Sequence, residues 1–152
     1  MLRVFIYKRT HEGDPDEDGC FGCCDCMGTR RAWDFDAVIG IGGIGNEAKR
    51  NGIAGKVTWI GVGAEKTPSR RFRGPLVTFD HFIIFQCEDG PDLAEIAPAL
   101  ARRFYVKKAR HVFDDFNTKE KDEIKSLLRL GEGEPPSPWR AKHRKTAKGR
   151  QC

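Results

Sequence analysis

Three groups of residues have the types and spacing to do chemistry. The first lies in residues 33–45, where the apolar run Ala37, Val38, Ile39 and Ile41 ends in Gly40-x-Gly42-x-x-Gly45, with Gly43 between. Glycines at a strand end let the backbone turn sharply and let another group come close to it. The letters match the dinucleotide-binding pattern, and backbone N–H groups in such a loop can cradle an anion. A purely structural sharp turn is the competing reading. Arg30, Arg31, Arg70, Arg71 and Arg73 supply guanidinium forks for phosphate. Trp33 or Trp59 supplies a ring on which a base stacks. The second group is Cys20-x2-Cys23-x2-Cys26, which can present three thiolates to one metal with Cys24 turned away. That spacing suits zinc or an iron–sulfur cluster, with Cys87 or His11 as the fourth ligand. Incidental thiols on a glycine-rich loop are the alternative. The third group is acid–base: His11, Asp14 and Asp16 in an acidic loop, and Asp80-His81 at a strand break. A histidine beside a carboxylate can be a general base with its orienting partner, or a satisfied structural side chain.

These groups need elements to hold them. Residues 2–7 read as a first strand. Residues 11–19 read as a turn-rich acidic loop that lacks the later glycine and final glutamate of an EF-hand. Residues 36–41 show no polar side and predict a strand buried on both faces. Asn46 is the expected N-cap of a helix over 47–51, with Gly52 as its stop. Only about ten residues then separate Gly45 from the strand at 57–63, short for a parallel βαβ crossover, which takes about a dozen or more. Glu65 stands where a ribose-binding acid is expected. Residues 65–73 read as an exposed basic loop, and 75–86 as one long strand or a bulged pair.

Leu93, Ile96, Ala97, Leu100, Ala101 and Phe104 fall on one helical stripe. Pro98 breaks into it, so either the helix kinks there or a short turn precedes a helix starting at Pro98. Residues 106–116 are ambiguous, with 110–113 open to reading as a last strand. Asn117 with Glu120 forms a capping box before Ile124, Leu127, Leu128 and Leu130, and Gly131 stops that helix.

Composition bounds the rest. A chain of 152 residues has room for one core. Six of the 27 bases fall in residues 140–150 with none of the 22 acids, so the first 139 residues hold 21 bases against 22 acids. The net charge of +5 therefore belongs to the tail, which either binds phosphate backbones or is a solvated end. No run approaches the roughly 20 apolar residues of a membrane span. No secretion signal is legible, and the cysteines cluster rather than spread, so a cytoplasmic location and no membrane partner are expected. The predicted architecture is one α+β domain over residues 1–134. Its mixed sheet has four to five strands, with two to three helices mainly in the C-terminal half. A Pro-rich, then basic, disordered tail follows over 135–152.

Residues 5–9, a Gly-Asp-Pro loop, Gly19-Cys-Phe-Gly22, Cys26-Met-Gly-Thr-Arg-Arg31, Asp36-Ala-Val-Ile-Gly-Ile-Gly-Gly43 and Lys56-Val-Thr-Trp-Ile-Gly61 follow one another in an order that resembles the nucleotide modification associated domains. These are small prokaryotic and phage proteins linked to modified-base systems. The resemblance covers residues 2–86 and implies a module that handles nucleotides or modified bases beside other enzymes. It carries over no catalytic residue. The leading expectation is a nucleotide or nucleic-acid binding module using Gly40, Gly42, Gly43, Gly45, Arg30, Arg31, Trp33, Arg70 and Arg71. The second is a small nucleotide-processing enzyme with His11, Asp14, Asp80 and His81 as its acid–base residues. The third is a metal-binding or redox-sensing protein built on Cys20, Cys23, Cys26 and Cys87. The oligomeric state has no signature in the sequence.

Overall fold

The computed structural model describes residues 3–9, 20–21, 35–67, 76–85, 89–109, 111–113 and 115–132. The strands are β1 (Val4–Arg9), β2 (Cys20–Phe21), β3 (Ala37–Gly42), β4 (Val57–Thr67), β5 (Leu76–Ile84) and β6 (His111–Phe113). The helices are α1 (Asn46–Arg50), α2 (Leu93–Ile96), α3 (Pro98–Ala101) and α4 (Thr118–Gly131), with a π-turn at Arg102–Val106 after α3. They build the expected α+β fold: a mixed sheet with its helices mainly in the C-terminal half. Four long strands are flanked by the short β2 and β6, in the order β2-β5-β4-β3-β1-β6. β1 and β3 run parallel, and the other pairs are antiparallel.

β3 is buried along its whole length, as its unbroken apolar run requires. β4 is buried from Val57 to Val62 and then alternates between exposed and half-buried positions out to Thr67. Glu65, Lys66 and Thr67, expected in a loop, are instead strand residues that pair with Thr78, Val77 and Leu76; the rest of that expected loop lies outside the described residues. Residues 76–84 form one strand rather than two.

One face of the sheet is aliphatic and covered by helices. Val4, Ile6, Ile39, Ile41, Ile60 and Ile83 meet Leu93, Leu100, Phe104, Ile124, Leu127 and Leu130 there. Each such side chain, fully buried, contributes about 1.5–3 kcal/mol before conformational entropy is subtracted. The stripe from Leu93 to Phe104 holds, but Pro98 divides it. Ala97 leaves helical geometry at φ −147° and ψ 68°, and Pro98 then opens α3. The N–H groups of Ala99 and Leu100, orphaned at that new helix start, donate to Glu123 Oε2 and Oε1 of α4, each at 3.0 Å. In α4 the capping box forms as its sequence predicts. Glu120 N donates to Asn117 Oδ1 at 2.8 Å, and Asn117 N to Glu120 Oε1 at 2.9 Å.

The opposite face is aromatic. Phe5, Phe35, Val38, Trp59, Val77, Phe79 and Ile84 are buried in it, with Tyr7 and Phe82 at its margin. Gly40 and Gly61 give the rings room. A Cβ on Gly40 would stand 2.5 Å from the Trp59 indole, and one on Gly61 would stand 2.7 Å from the Phe79 ring. With Gly40 cleared, Trp59 reaches over β3 and donates from Nε1 to the Tyr7 hydroxyl on β1 at 2.8 Å. A bulge marks this place. Gly40 pairs with Trp59 and Ile41 with Val57, so Thr58 is the extra residue.

Candidate functional site at the carboxyl ends of the parallel strands

In sheets with parallel strands, ligands bind outside the carboxyl ends of those strands. Here the ends are Arg9 on β1 and Gly42 on β3, which are register partners. Gly42 is the hub. Its N–H donates to Lys56 O at 2.8 Å, and its carbonyl accepts from the Tyr105 hydroxyl at 2.6 Å. A Cβ on Gly42 would lie 1.8 Å from the Ile53 carbonyl oxygen, a main-chain atom that has no rotamer to change. Burial pushes the Tyr105 phenol well above its ordinary range, so it stays a proton donor to that carbonyl. Lys8 Nζ donates to Phe104 O at 3.0 Å. The π-turn is thus tied to the ends of both parallel strands.

α1 closes the other side. Gly45, not Asn46, is its N-cap, in extended geometry with no side-chain cap bond, and Asn46 is its first helical residue. Its C-terminus has the expected glycine stop. Gly52 sits at φ 73°, with Gly52 N donating to Lys49 O at 3.1 Å and Ile53 N to Ala48 O at 3.0 Å. That is a Schellman arrangement, and it delivers the Ile53 carbonyl to Gly42.

The glycine run therefore divides in two. The room left by Gly40 and Gly42 is filled by Trp59 and Ile53, whereas a Cβ on Gly45 would meet nothing within 4 Å. β4 returns antiparallel to β3, so the dinucleotide spacing does not close a parallel βαβ unit. Gly43 is buried, and its carbonyl accepts from Gly55 N at 3.1 Å. Ile44, between Gly43 and Gly45, is 51% exposed. Val106, next to Tyr105, is 67% exposed. Among the described residues these are the exposed large hydrophobic side chains. Lys49 and Arg50 of α1, and Arg102, Lys107 and Lys108 of the π-turn and its exit, are basic. Among the described residues none of these five makes an ion pair. Sequence reasoning missed the π-turn.

Arg103, by contrast, is fully engaged. It donates to Glu120 Oε1 at 3.0 Å, to Asp115 Oδ2 at 2.9 Å and to the Asp115 carbonyl, and it lies over the Phe116 ring. Glu120 is 5% exposed, so this guanidinium neutralises a buried carboxylate as well as holding the π-turn against α4.

The other sequence-derived residues fall elsewhere. Asp80 and His81 are both exposed on β5. The Asp80 carboxylate lies over Gly63, which takes φ 67°, and His81 pairs with Val62. Val62 is five residues along β4 from Val57, the partner of Ile41, which at 3.3–3.4 Å per residue is about 17 Å. Asp80 and His81 therefore do not join the glycine loop in one site. Glu65 is exposed on β4. The backbone of Cys20 pairs with Thr78. His11, Asp14, Cys23, Cys26, Arg30, Arg31, Trp33, Arg70, Arg71, Cys87 and the tail from residue 135 lie outside the described residues. Among the described residues no three histidine, cysteine or acidic side chains gather as metal ligands, and no helix is long and apolar enough to cross a membrane. No family model, curated protein or solved structure matches the chain.

Proposed function

We propose that this protein binds a phosphate-bearing ligand, a nucleotide or a nucleic acid, at the carboxyl ends of β1 and β3. The observation that carries the reading is a set of exposed cations that make no ion pair among the described residues, on the two segments joined at Gly42: Lys49 and Arg50 on α1, and Arg102, Lys107 and Lys108 on the π-turn and its exit. Unneutralised bases raise the local anion concentration and release counterions when phosphate arrives. Gly45 leaves the loop open beside them. The resemblance of residues 2–86 to nucleotide modification associated domains points the same way, toward modified-base systems, and the basic tail would add affinity without sequence preference.

The test is titration of the full chain with labelled mononucleotides, single strands and duplexes at several salt concentrations. Binding that weakens linearly in log K against log salt is the expected result. No salt-sensitive binding to any of these probes overturns the reading.

A further inference from the structure

The segment of residues 106–108 combines features that the Gly42 hub does not require. Val106 is exposed although it immediately follows Tyr105, which is tied down. Lys107 N closes the π-turn onto Arg102 O at 3.0 Å, and Ala109 N bonds to Arg103 O at 3.1 Å. Between them Lys108 takes φ 60°, the one non-glycine residue with positive φ among those described. At the end of a helical segment this conformation is normally given to glycine, because a Cβ there crowds the neighbouring carbonyl. Nothing in the fold needs the Lys108 side chain: it is exposed and makes no ion pair among the described residues. A strained, unpaired lysine beside an exposed valine belongs with positions kept for a ligand.

Ile44 lies two residues from Gly42, which the Tyr105 hydroxyl holds, and α1 with Lys49 and Arg50 begins two residues after it. The arrangement is two exposed aliphatic side chains: Val106 is followed directly by Lys107 and Lys108, and Ile44 is followed five and six residues later by Lys49 and Arg50, past the exposed Glu47.

We propose that this surface holds single-stranded nucleic acid, with Ile44 and Val106 against the faces of unpaired bases and Lys107 and Lys108 on the neighbouring phosphates. The inference rests on the phosphate-ligand reading above and narrows it to a class. A single strand is favoured over a duplex because apolar side chains reach base faces only where bases are unpaired and splayed. It is favoured over a mononucleotide because two separate pairs of cations, Lys49 with Arg50 and Lys107 with Lys108, can engage more than one phosphate.

The test uses the full chain and two variants against a labelled single strand, the matching duplex and anionic phospholipid vesicles. Lys108→Gly is expected to unfold at higher urea than the parent, yet to bind the single strand more weakly, with a salt slope lower by about 0.7. The double variant Ile44→Ser with Val106→Ser is expected to lose affinity by roughly fivefold or more while keeping the parent's salt slope. Lys121→Ala, on the exposed surface of α4, is the control and binds as the parent does. If the parent binds single strands and both variants match it, this inference fails and the phosphate-ligand reading stands. Equal affinity for duplex, or preferential capture by vesicles, also overturns it. If the parent binds no nucleic acid or nucleotide, both fall.

Discussion

The two faces of the sheet solve one packing problem in opposite ways. On the helical face, branched aliphatic side chains of four strands interlock with α2, α3, the π-turn and α4. Charged groups then fix the helices: Glu123 caps α3, and Arg103 joins the π-turn to the start of α4. On the aromatic face the buried cluster, among the described residues, consists of strand residues and Phe35, whose rings pack on one another. Trp59 and Phe79 meet edge to face at 5.5 Å, Phe5 and Tyr7 stack at 5.3 Å, and glycines on β3 and β4 leave the hollows in which rings lie. One face depends on filling space with branched side chains and a few buried charges. The other depends on side chains being absent at two positions.

The helical face is most sensitive at Arg103. Arg103→Ala strands the buried Glu120 and frees the π-turn, and we expect a loss of about 2–3 kcal/mol in urea-induced unfolding. A loss under about 0.5 kcal/mol, the range of ordinary surface changes, would mean that the helical face does not need its charges.

Gly40→Ala tests the aromatic face. The new methyl has the Trp59 indole at 2.5 Å and Thr58 Oγ1 at 2.9 Å, so a cost of about 1–3 kcal/mol is expected from overpacking. A smaller ring should relieve part of it. Gly40→Ala with Trp59→Phe is therefore expected to cost less than the sum of the two single changes, and strict additivity would show that the indole is not what fills the hollow.

The smallest effect has the opposite sign. Thr58 is 1% exposed, and its hydroxyl has no hydrogen-bond partner. A buried unmade hydrogen bond is costly, and valine has nearly the same shape, so Thr58→Val is expected to stabilise by about 1 kcal/mol. Destabilisation in the same unfolding assay would place a water or another partner on that oxygen.

Much of the fold was legible because it follows from local chemistry. The unbroken apolar run of β3, the Asn117–Glu120 capping box, the Leu93–Phe104 stripe and the glycine stop at Gly52 are each short-range signals, and each appears where the residues predict. The candidate site was only partly legible. Its glycines were visible, but their division into packed and open positions was not. Gly42 and Gly45 are alike in sequence context, and only the Schellman end of α1 brings the Ile53 carbonyl against the first and leaves the second clear. The π-turn was illegible because no residue type favours one. It arises where the helix begun at Pro98 must end between Tyr105, held by Gly42, and Arg103, held by Glu120.

By itself, then, the sequence determined the elements: period, caps, breaks and the burial of β3, all set by neighbours within a few residues. Tertiary structure decided which strand lies beside which. It made β4 antiparallel to β3 and so left the glycine spacing without a crossover helix. It also placed Asp80 and His81 about 17 Å along the sheet from the loop. It also tied Tyr105, just before Val106 and the two lysines, to Gly42, two residues before Ile44. The Tyr105–Gly42 bond joins residues 63 positions apart, and no local propensity reports it.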